Sequence, residues 1–462
     1  MKIRFVRSST APVRVVPVAP GAAPPRPVRA RVAGFTTAPG AVALLVGRTR
    51  RTLLVALHEP EAAGALAIAR LPADAHVAID ARAVTPAIAA SLAAGAVLRG
   101  WQFDRLRTRP EPDGRIRLEQ LDILTHDPEA GRAAWKLLRP GVEGALFARD
   151  LVAEPSNILT PQAFTARLAR LEREGVHVEV LDAAQLYREG FGALLAVGAA
   201  SVHPPCLAIL RWPGDGSADP AVLVGKGVTF DTGGVSIKPG AGMWNMRSDM
   251  AGAAACAGAM LALALRRSSV PAVAVLPLTE NAIGAYAYCP GDVLRTYDGT
   301  TVEIVDTDAE GRLILADALG WSVRQLRPRA LVNLATLTGA IITSLGHAQA
   351  GLFGTDDRLR DALMIAGAAT QEPLWPMPLA PAADLDSDIA DILQCTAGPR
   401  QPDALLAATF LRHFVGDVPW AHLDIAGVEQ RELGPYYDPD RHALGATGFG
   451  VRLLDRWLAS LG

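Results

Sequence analysis

The chain has 462 residues, of which 50% are hydrophobic and 20% are charged, a composition typical of a soluble globular protein with room for two domains. Its formal net charge of −2 provides no overall attraction to nucleic acid or to acidic membranes. The four cysteines are scattered without a CxxC pair, which argues against a disulfide framework and a thiolate zinc site and favours a reducing compartment.

The amino-terminal segment is basic, since the first 58 residues carry ten Lys or Arg and the first acidic residue is Glu59. Such a segment is typical of an arm that binds polyanions or of an organelle transit peptide. It is also what an arginine-rich composition produces on ordinary strands, and we favour that interpretation. The opening "MKIRFVRSSTAPVRVVP" lacks the apolar core of a signal peptide, and no charge-free run of about 20 apolar residues predicts a membrane helix.

The first part of the chain is predicted to be a small α/β domain over residues 1–145. A proline-rich opening, "VAPGAAPPRPV", precedes the apolar runs "AVALLVG" and "RTLLVAL", which predict strands. The alanine-rich segment "TPAIAASLAAGAVLRGW" predicts a helix. A longer helix over "PEAGRAAWKLLRPGVEGALFARDLVAEPSN" is predicted to end near Pro155 and to link the two domains.

The second part, residues 146–462, alternates strands with alanine-rich or amphipathic helices. Strands are predicted at "AVLVGKGVTF", "PAVAVLPLTE", "ALVNLATL" and "AHLDIAG", and helices at "DMAGAAACAGAMLALALRR" and "RLILADALGWSVRQL". This alternation predicts an α/β fold, with a small N-terminal domain and a larger C-terminal domain whose mostly parallel sheet is flanked by helices. Ligands of such sheets bind beyond the carboxyl ends of the strands.

Acidic side chains concentrate in two segments of the second domain, "KGVTFDTGGVSIKPGAGMWNMRSDM" and "DTDAEGRL". Their charged residues include Lys226, Asp231, Lys238, Asp249, Asp306, Asp308, Glu310 and Arg312. Carboxylates that converge in one cleft repel each other unless cations neutralise them, so a pair of divalent metal ions is favoured. A lone Asp after a strand usually forms a turn or caps a helix, but capping does not explain so many acids beside two lysines.

The local geometry of these acids can also be predicted. Asp231, and the pair Asp308 and Glu310, are expected to follow directly on strands. On an extended segment Asp308 and Glu310 would point the same way, while Asp249 would enter at the first turn of the alanine-rich helix. The motifs HExxH, GxSxG and GxxxxGK[ST] do not occur in the sequence, which argues against the sites that they specify.

The two acidic segments closely resemble the signature regions of the leucyl aminopeptidases, the M17 cytosol aminopeptidases, in residue type and in the spacing between them. The resemblance continues through "RDLVAEPSNILTP", "TENAIGAYAYCPGDV", "NLATLTGA", "WAHLDIAG" and "GATGFGVRLL", and it covers about two thirds of the chain. The first 145 residues match only loosely, as the N-terminal domain of this family usually does.

The resemblance implies a metal-dependent exopeptidase with two divalent metal ions per subunit, Mn²⁺ or Zn²⁺. The implied ligands are Lys226, Asp231, Asp249 and Glu310 for one metal ion and Asp231, Asp308 and Glu310 for the other. Lys238 and Arg312 would form the catalytic pair, with a bicarbonate at Arg312 as a proton shuttle. The pocket for the substrate's first side chain would be lined by Met246, Thr336 and Gly339.

Short peptides are the implied substrates, leucine and other apolar amino acids being released from their N-termini. The free α-amine and the scissile carbonyl would bind the metal ions, a metal-activated water would attack, and Lys238 would stabilise the oxyanion. The resemblance further implies a homohexamer, a dimer of trimers whose active sites face an enclosed cavity. We expect a cytoplasmic location without a membrane partner.

Lysine is rare in this chain, since the 45 basic residues include only Lys2, Lys136, Lys226 and Lys238. The implied roles explain why two of them lie in one acidic segment. A deprotonated lysine amine has a lone pair to donate to a metal ion, whereas a guanidinium stays protonated. For Lys238 the useful property is a compact point charge aimed at an oxyanion.

Four positions depart from the family pattern without removing an implied ligand. Asp306 stands where Asn is usual, Cys289 where a basic residue is usual, and Ser248 and Ala251 where Gly is frequent. We expect these differences to affect metal preference and the shape of the substrate pocket.

Three alternative functions are consistent with the sequence. A DNA-binding or architectural role of the same hexamer would use the basic N-terminus, although we do not expect it to be the main role. An inactive scaffold is disfavoured because buried acids without metal ions cost stability. A specialised dipeptidase, for instance one that cleaves Cys-Gly, would keep the reaction and change the substrate.

Overall fold

The structure is a computed structural model, and it describes residues 1–24, 35–48, 50–71, 74–109, 117–216, 218–397, 401–431 and 444–462. Part of the proline-rich opening, and with it three residues of the basic segment, Arg26, Arg29 and Arg31, lie outside the described residues. The chain divides into two compact units, the first containing Met1–Val142 and the second containing Glu143–Gln430 and Gly445–Gly462. The domain limits of 1–145 and 146–462 remain a prediction.

The first unit contains a sheet that is parallel except at one edge. Its strands are β1 (Lys2–Val6), β2 (Val13–Val18), β3 (Val42–Val46), β4 (Arg51–Ala56), β5 (His76–Asp80) and β6 (Gln120–Leu124). Among the described residues they lie in the order β1-β6-β5-β2-β4-β3, and only β3 pairs antiparallel with its neighbour. The helices are α1 (Pro60–Ala69) and α2 (Pro86–Arg99), followed by α3 (Pro128–Ala153), which contains the boundary between the units.

The start of α2 illustrates how the sequence sets an element's limits. Pro86 occupies the first helical turn, where the absence of a backbone N–H has no cost. Thr85 precedes it in an extended conformation, and its hydroxyl accepts a hydrogen bond of 3.4 Å from the amide of Ile88. The helix therefore begins where the "TPAIAAS" pattern predicts.

The second unit is built on a larger sheet with helices around it. The strands in this part of the chain are β7 (His177–Leu181), β8 (Cys206–Trp212), β9 (Ala221–Gly225), β10 (Gly227–Asp231), β11 (Ala272–Asn281), β12 (Val293–Arg295), β13 (Thr301–Glu303), β14 (Ala330–Ala335), β15 (Ala350–Gly354), β16 (Leu374–Pro376), β17 (Ile392–Leu393), β18 (Trp420–Asp424), β19 (Gln430–Arg431) and β20 (Gly445–Ala446). Strands β12, β13 and β17 form a separate small sheet, and β19 pairs with β20.

The helices of this part follow in chain order. They are α4 (Pro161–Arg167), α5 (Ala169–Arg173), α6 (Ala183–Glu189), α7 (Gly192–Gly198), α8 (Ala251–Leu265), α9 (Glu310–Leu326), α10 (Gly339–Leu345), α11 (Asp357–Thr370), α12 (Asp403–Arg412) and α13 (Val451–Ala459). A kinked turn, Gly240–Met243, leads into the 3₁₀ helix Trp244–Ser248, and a second 3₁₀ helix spans Ala382–Leu385.

The large sheet runs in the order β16-β15-β18-β14-β9-β11-β8-β7, with β10 pairing the end of β11. Its centre, β18-β14-β9-β11, is parallel, while β15 pairs antiparallel with β18 and β8 pairs antiparallel with both β11 and β7. The central strands are buried, as is expected of a sheet covered on both faces. The predicted two-domain α/β fold with a mostly parallel sheet is confirmed.

Helix α8 is apolar around its whole circumference, and almost all of its residues are buried. Among the described residues, one helical stretch is long and apolar enough to cross a membrane, Gly240–Leu265, which joins the kinked turn, the 3₁₀ helix and α8. However, 94% of its most apolar window is buried inside the structure. Such burial is what a core helix against a sheet requires.

Candidate metal centre and active site

The carboxyl ends of the parallel strands bring polar side chains to one edge of the large sheet. Lys226 follows β9, Thr336 follows β14, and Asp231, Asn281 and Asp424 are the last residues of β10, β11 and β18. This is the edge at which parallel sheets bind their ligands. The polar residues therefore lie where a site is expected, although the strands themselves are apolar.

Lys226 is buried among three oxygen acceptors. Its Nζ lies 2.7 Å from Asp249 Oδ1, 2.8 Å from Glu310 Oε1 and 2.9 Å from the carbonyl oxygen of Thr336. Burial alone would lower the pKa of this lysine, but the negative charges of Asp249, Glu310 and Asp231 outweigh burial and raise it above its ordinary value. In this geometry Lys226 is an ammonium ion, so it must lose a proton before its nitrogen can bind a metal ion.

Lys238 bridges the two remaining acids from the other side. Its Nζ lies 2.8 Å from Asp231 Oδ2 and 2.6 Å from Asp308 Oδ1. Its side chain is 19% exposed, whereas that of Lys226 is 4% exposed. The two lysines thus enclose the carboxylates, with Lys238 nearer to solvent.

The carboxylates converge as the sequence predicts, but the predicted backbone conformation around Asp308 and Glu310 is wrong. Ligand atoms of Asp231, Asp308 and Glu310 all lie within 4.8 Å of one another. Asp231 ends β10, as expected. Asp308, however, lies in a turn and Glu310 is the first residue of α9, so the pair neither follows directly on a strand nor lies on an extended segment.

Asp249 also differs from its predicted setting. It caps the C-terminal end of the 3₁₀ helix Trp244–Ser248, and α8 begins two residues later, at Ala251. Its Oδ1 accepts a hydrogen bond of 2.7 Å from the hydroxyl of Thr336, which joins it to the end of β14. Asp249 is therefore held before the alanine-rich helix rather than in its first turn.

Two glycines make this close packing possible. A Cβ atom at Gly311 would lie 2.6 Å from Cε of Lys226, and one at Gly252 would lie 2.1 Å from the carbonyl oxygen of Leu334. A larger residue at either position would push α9 or α8 away from the site. The "AEGR" and "MAGA" sequences therefore bring the two helix starts against the strand ends.

The donor set fits divalent metal ions. Glu310 Oε2 and Asp249 Oδ2 are buried and have no hydrogen-bond partner in the part of the chain that the structure describes. Buried carboxylate oxygens are normally satisfied, and an unsatisfied one costs stability unless an ion binds it. Carboxylate oxygens with one nitrogen donor suit Mn²⁺ and Zn²⁺.

Crowding also alters how readily these acids ionise. Burial and the charge of Glu310 raise the pKa of Asp231, and burial raises the pKa of Asp249 well above its ordinary value. Burial and the charge of Asp231 raise the pKa of Asp308 to about 6, although Lys238 opposes the shift. Positive charge added to this cluster would reverse all three shifts.

The raised pKa of Asp308 predicts that metal binding depends on pH. A carboxyl group must lose its proton to bind an ion, so the affinity for Mn²⁺ is expected to fall about tenfold from pH 7 to pH 5 through this group alone. Calorimetric titration with Mn²⁺ at the two pH values measures the change. The Asp308→Asn variant should lose this part of the pH dependence, and equal affinity of the unaltered protein at both pH values would contradict the assignment.

A second layer of polar residues holds the acids in place, and the sequence did not reveal it. Asn281 donates hydrogen bonds of 2.8 Å to Asp231 Oδ1 and 3.0 Å to the carbonyl oxygen of Thr307. Tyr288 donates one of 2.9 Å to the same carbonyl. The sequence contains one indication of this layer, the polar residues "TEN" at the end of an otherwise apolar strand. The last of them, Asn281, is fully buried.

Asp424 anchors the loop after β14. Its carboxylate accepts hydrogen bonds of 3.1 Å from the amide of Leu337 and 2.7 Å from the hydroxyl of Thr338. Burial raises its pKa to about 6, although these hydrogen bonds oppose the shift. The "ATLTG" loop is therefore held by hydrogen bonds to the last residue of β18, in the "HLDIAG" segment.

Arg312 is buried in the first turn of α9. Its Nη2 donates to Asp403 Oδ1 at 2.7 Å, and its Nη1 donates to the carbonyl oxygen of Gln394 at 3.3 Å. Gln394 in turn accepts from the amide of Asp306 at 3.1 Å and donates to the carbonyl oxygen of Ala309 at 3.0 Å. Asp403 is a partner that the sequence had not singled out.

The residues expected to line a substrate pocket are less closely connected. Thr336 belongs to the cluster through its contacts with Lys226 and Asp249. Met246 lies in the 3₁₀ helix that ends at Asp249, and its carbonyl oxygen accepts a hydrogen bond of 3.3 Å from that residue's amide. Gly339 begins α10 and is exposed, and a Cβ there would meet no atom of the described residues within 4 Å.

The four atypical positions have ordinary local roles. Asp306 Oδ1 accepts a hydrogen bond of 2.9 Å from the amide of Asp308 and so stabilises that turn. Ser248 donates to the carbonyl oxygen of Asn245 at 2.8 Å, Ala251 starts α8, and Cys289 is exposed. An Asn side chain could accept the same bond as Asp306, so the acid adds charge without changing the turn.

Comparisons with known proteins agree with this arrangement. A family model described as the cytosol aminopeptidase family, catalytic domain, matches residues 146–455. A probable cytosol aminopeptidase of Gluconobacter oxydans is 48% identical over 365 residues, which cover 79% of this chain and 73% of the relative. A probable cytosol aminopeptidase of Caulobacter vibrioides is 46% identical over 376 residues, with 80% and 75% covered.

Among solved structures, the one titled "Bottromycin maturation enzyme BotP in complex with Mn" is similar over 98% of this chain and 99% of that chain. Its TM-score is 0.88 and its sequence identity to this chain is 34%. The similarity thus extends through both units and beyond the matched catalytic region.

Proposed function

This chain belongs to the cytosol aminopeptidase family and is a metal-dependent aminopeptidase of the leucyl aminopeptidase type, and we propose that it releases N-terminal amino acids, leucine and other apolar residues among them, from short peptides. The observation that carries the proposal is the cluster of Asp231, Asp308 and Glu310 within 4.8 Å, enclosed by Lys226 and Lys238. A structural salt-bridge network would not leave buried carboxylate oxygens without partners.

The site would hold two divalent metal ions, Mn²⁺ or Zn²⁺. Lys226, Asp231, Asp249 and Glu310 would surround one ion, and Asp231, Asp308 and Glu310 would surround the other. The described geometry supports this division, since Lys226 contacts Asp249 and Glu310 while Asp308 contacts Lys238. When bound, such ions lower the pKa of a water molecule and polarise a carbonyl group.

Lys238 would stabilise the negative charge that develops on the substrate's carbonyl oxygen. It is less buried than Lys226, and it is a cation held by two carboxylates at 2.8 and 2.6 Å. Once metal ions satisfy those carboxylates, the ammonium group is free to donate to an oxyanion. A preformed cation of this kind contributes to the rate because it needs no reorganisation during the reaction.

Arg312 would act beside Lys238 as the second catalytic cation. The family resemblance also implies a bicarbonate on this guanidinium. That ion remains a prediction, and the 2.7 Å pair with Asp403 argues against it, because a second anion would lie next to a carboxylate.

The substrate's first side chain would lie between Met246, Thr336 and Gly339. Thr336 contacts the metal-binding residues, so a pocket at this loop would adjoin the scissile bond. The thioether of Met246 favours an apolar side chain such as that of leucine, and Gly339 leaves room for it among the described residues.

The protein is proposed to act in the cytoplasm as a homohexamer that admits short peptides. The relatives named cytosol aminopeptidases support this location. Light scattering measures the assembly, and a fully active monomer would contradict it.

A DNA-binding role would appear as an affinity for DNA that falls steeply as the salt concentration rises, and we do not expect it to be the main role.

A specialised substrate is the second candidate. The similarity over 98% of this chain to a structure titled a bottromycin maturation enzyme favours an enzyme that acts in the maturation of a specific product. A dipeptidase for Cys-Gly belongs to the same class of alternative. Such an enzyme would show one strong substrate rather than a graded series of apolar residues.

A screen of aminoacyl chromogenic substrates and short peptides, with Mn²⁺ or Zn²⁺ supplied, tests the proposal. We expect leucyl and other apolar substrates to be cleaved and the Asp308→Ala variant to be inactive on all of them. Activity on a single substrate would favour the specialised enzyme. Activity that survives in Asp308→Ala would refute the assigned site.

A further inference from the structure

Arg312 already has a carboxylate partner within its own chain. Its side chain is 2% exposed, whereas that of Asp403 is 39% exposed, so the acid reaches inward from a more open position to a buried guanidinium. The contact joins Nη2 to Oδ1 at 2.7 Å, the length of a charge-assisted hydrogen bond. A buried guanidinium cannot lose its proton, so it requires an anion nearby.

The fold presents Asp403 at a rigid position. It is the first residue of α12, a ten-residue helix whose apolar residues, among them Leu406 and Phe410, are buried in the core. The partial positive charge of a helix N-terminus favours an ionised carboxylate there. The acid is therefore held against Arg312 by a helix rather than by a loop.

A carboxylate and a bicarbonate are similar partners for a guanidinium in shape and charge. Both present planar, negatively charged oxygen atoms to its N–H groups. Nη2 donates to Asp403 and Nη1 to the Gln394 carbonyl, while Nε has no partner among the described residues, so a bicarbonate would have to displace the acid or bind at Nε beside it. Two anions at this distance repel each other, and the residues present do not fit an exchangeable ion.

We propose that Asp403 is the resident anion of Arg312, so that this enzyme carries in its own chain the carboxylate that a bicarbonate would otherwise supply and works without that ion. The inference rests on the proposed peptidase function. Asp403 acts through Arg312 as a positioning residue, since it fixes the orientation of the guanidinium and compensates its charge. Removing the carboxylate should open the site to a small external anion.

The test compares three proteins in buffer freed of carbon dioxide, with and without added bicarbonate. Asp403→Ala removes the carboxylate, and Asp403→Asn keeps the shape if the first variant fails to fold. Asp357→Ala is the matched control, because Asp357 also begins a helix, α11, and also pairs with an arginine, Arg360, but is 86% exposed and remote in sequence from the site.

We expect bicarbonate to change kcat/KM of the unaltered enzyme and of Asp357→Ala by less than about twofold. Without bicarbonate the Asp403 variants should lose about tenfold or more in kcat, since a misplaced catalytic cation has that order of effect. Bicarbonate should restore most of the loss. A severalfold stimulation of the unaltered enzyme, full activity of the variants without bicarbonate, or a loss that bicarbonate does not restore would each overturn the proposal.

Calorimetry provides a readout that is independent of turnover. Titration with bicarbonate should show binding to a folded Asp403 variant and none to the unaltered protein or to Asp357→Ala. If no peptidase activity is found under any metal condition, the proposed function fails while this titration still decides whether Asp403 occupies the anion position. Binding of bicarbonate to the unaltered protein would overturn the inference directly.

Discussion

Exhaustive chelation of the purified protein is expected to abolish its peptidase activity, and addition of Mn²⁺ or Zn²⁺ is expected to restore it. The physical reason lies in the cluster itself, where Asp231, Asp308 and Glu310 approach within 4.8 Å and the pKa values of Asp231 and Asp308 are raised. With metal ions removed, no residue in the cluster can activate water as they do. The loss should therefore approach the background rate rather than a partial value.

Measurement of residual activity together with metal content by atomic emission makes this result interpretable. Asp308→Asn serves as the control, because it keeps the size of the side chain and loses a ligand charge, and should not recover at a metal concentration that restores the unaltered enzyme. Adding metal ions back should also raise the melting temperature of the protein, because the ions relieve the repulsion among the buried acids. Activity that persists after the metal content has reached zero would refute a metal-dependent reaction.

The sequence was informative about the sheet because its central strands are largely apolar runs that end at polar residues. The runs that became β9, β11, β14 and β18 were all predicted, and each ends at a polar residue of the site or leads into one. A parallel sheet gathers its carboxyl ends at one edge, so convergence of Lys226 and Asp231 followed from topology. Residue type and order along the chain were sufficient for this part.

The backbone around the acids could not be predicted in the same way. Alternation would point Asp308 and Glu310 the same way on a strand, but Asp308 lies in a turn and α9 starts at Glu310. Gly311 lets the start of this helix pack against the Lys226 side chain, a tertiary contact that local propensity does not encode. Similarly, Asp249 lies outside α8, whose Gly252 packs against the carbonyl oxygen of Leu334.

Asp403 illustrates a contact that no local pattern reveals. It lies 91 residues from Arg312 in the sequence, and an acid before an apolar run ordinarily indicates the start of a helix. It does start a helix, so the local interpretation is correct but incomplete. Only the packing of α12 beside α9 gives the acid its second role as a partner of Arg312.

Changing each of the two lysines of the site to arginine is expected to have different effects on metal content. Lys226 is enclosed by three acceptors at 2.7, 2.8 and 2.9 Å, and the backbone of Gly311 approaches its terminal carbon closely. A guanidinium is too large for this space, cannot donate a lone pair and keeps a charge that repels a metal ion. Lys226→Arg should therefore lose metal, and its activity should fall by about 100-fold or more.

Lys238→Arg should behave differently, because the more exposed ammonium at Asp231 and Asp308 is proposed to contact the substrate rather than a metal ion. Its metal content should stay near that of the unaltered enzyme, while kcat should fall by about 100-fold through misplacement of the charge. Lys136→Arg, on an exposed position of α3, is the matched control and should change neither quantity. Metal analysis and turnover on one leucyl substrate measure all three variants. If Lys226→Arg kept its full metal content and near-normal turnover, the enrichment of lysine in this acidic segment would have no chemical cause, even in an active aminopeptidase.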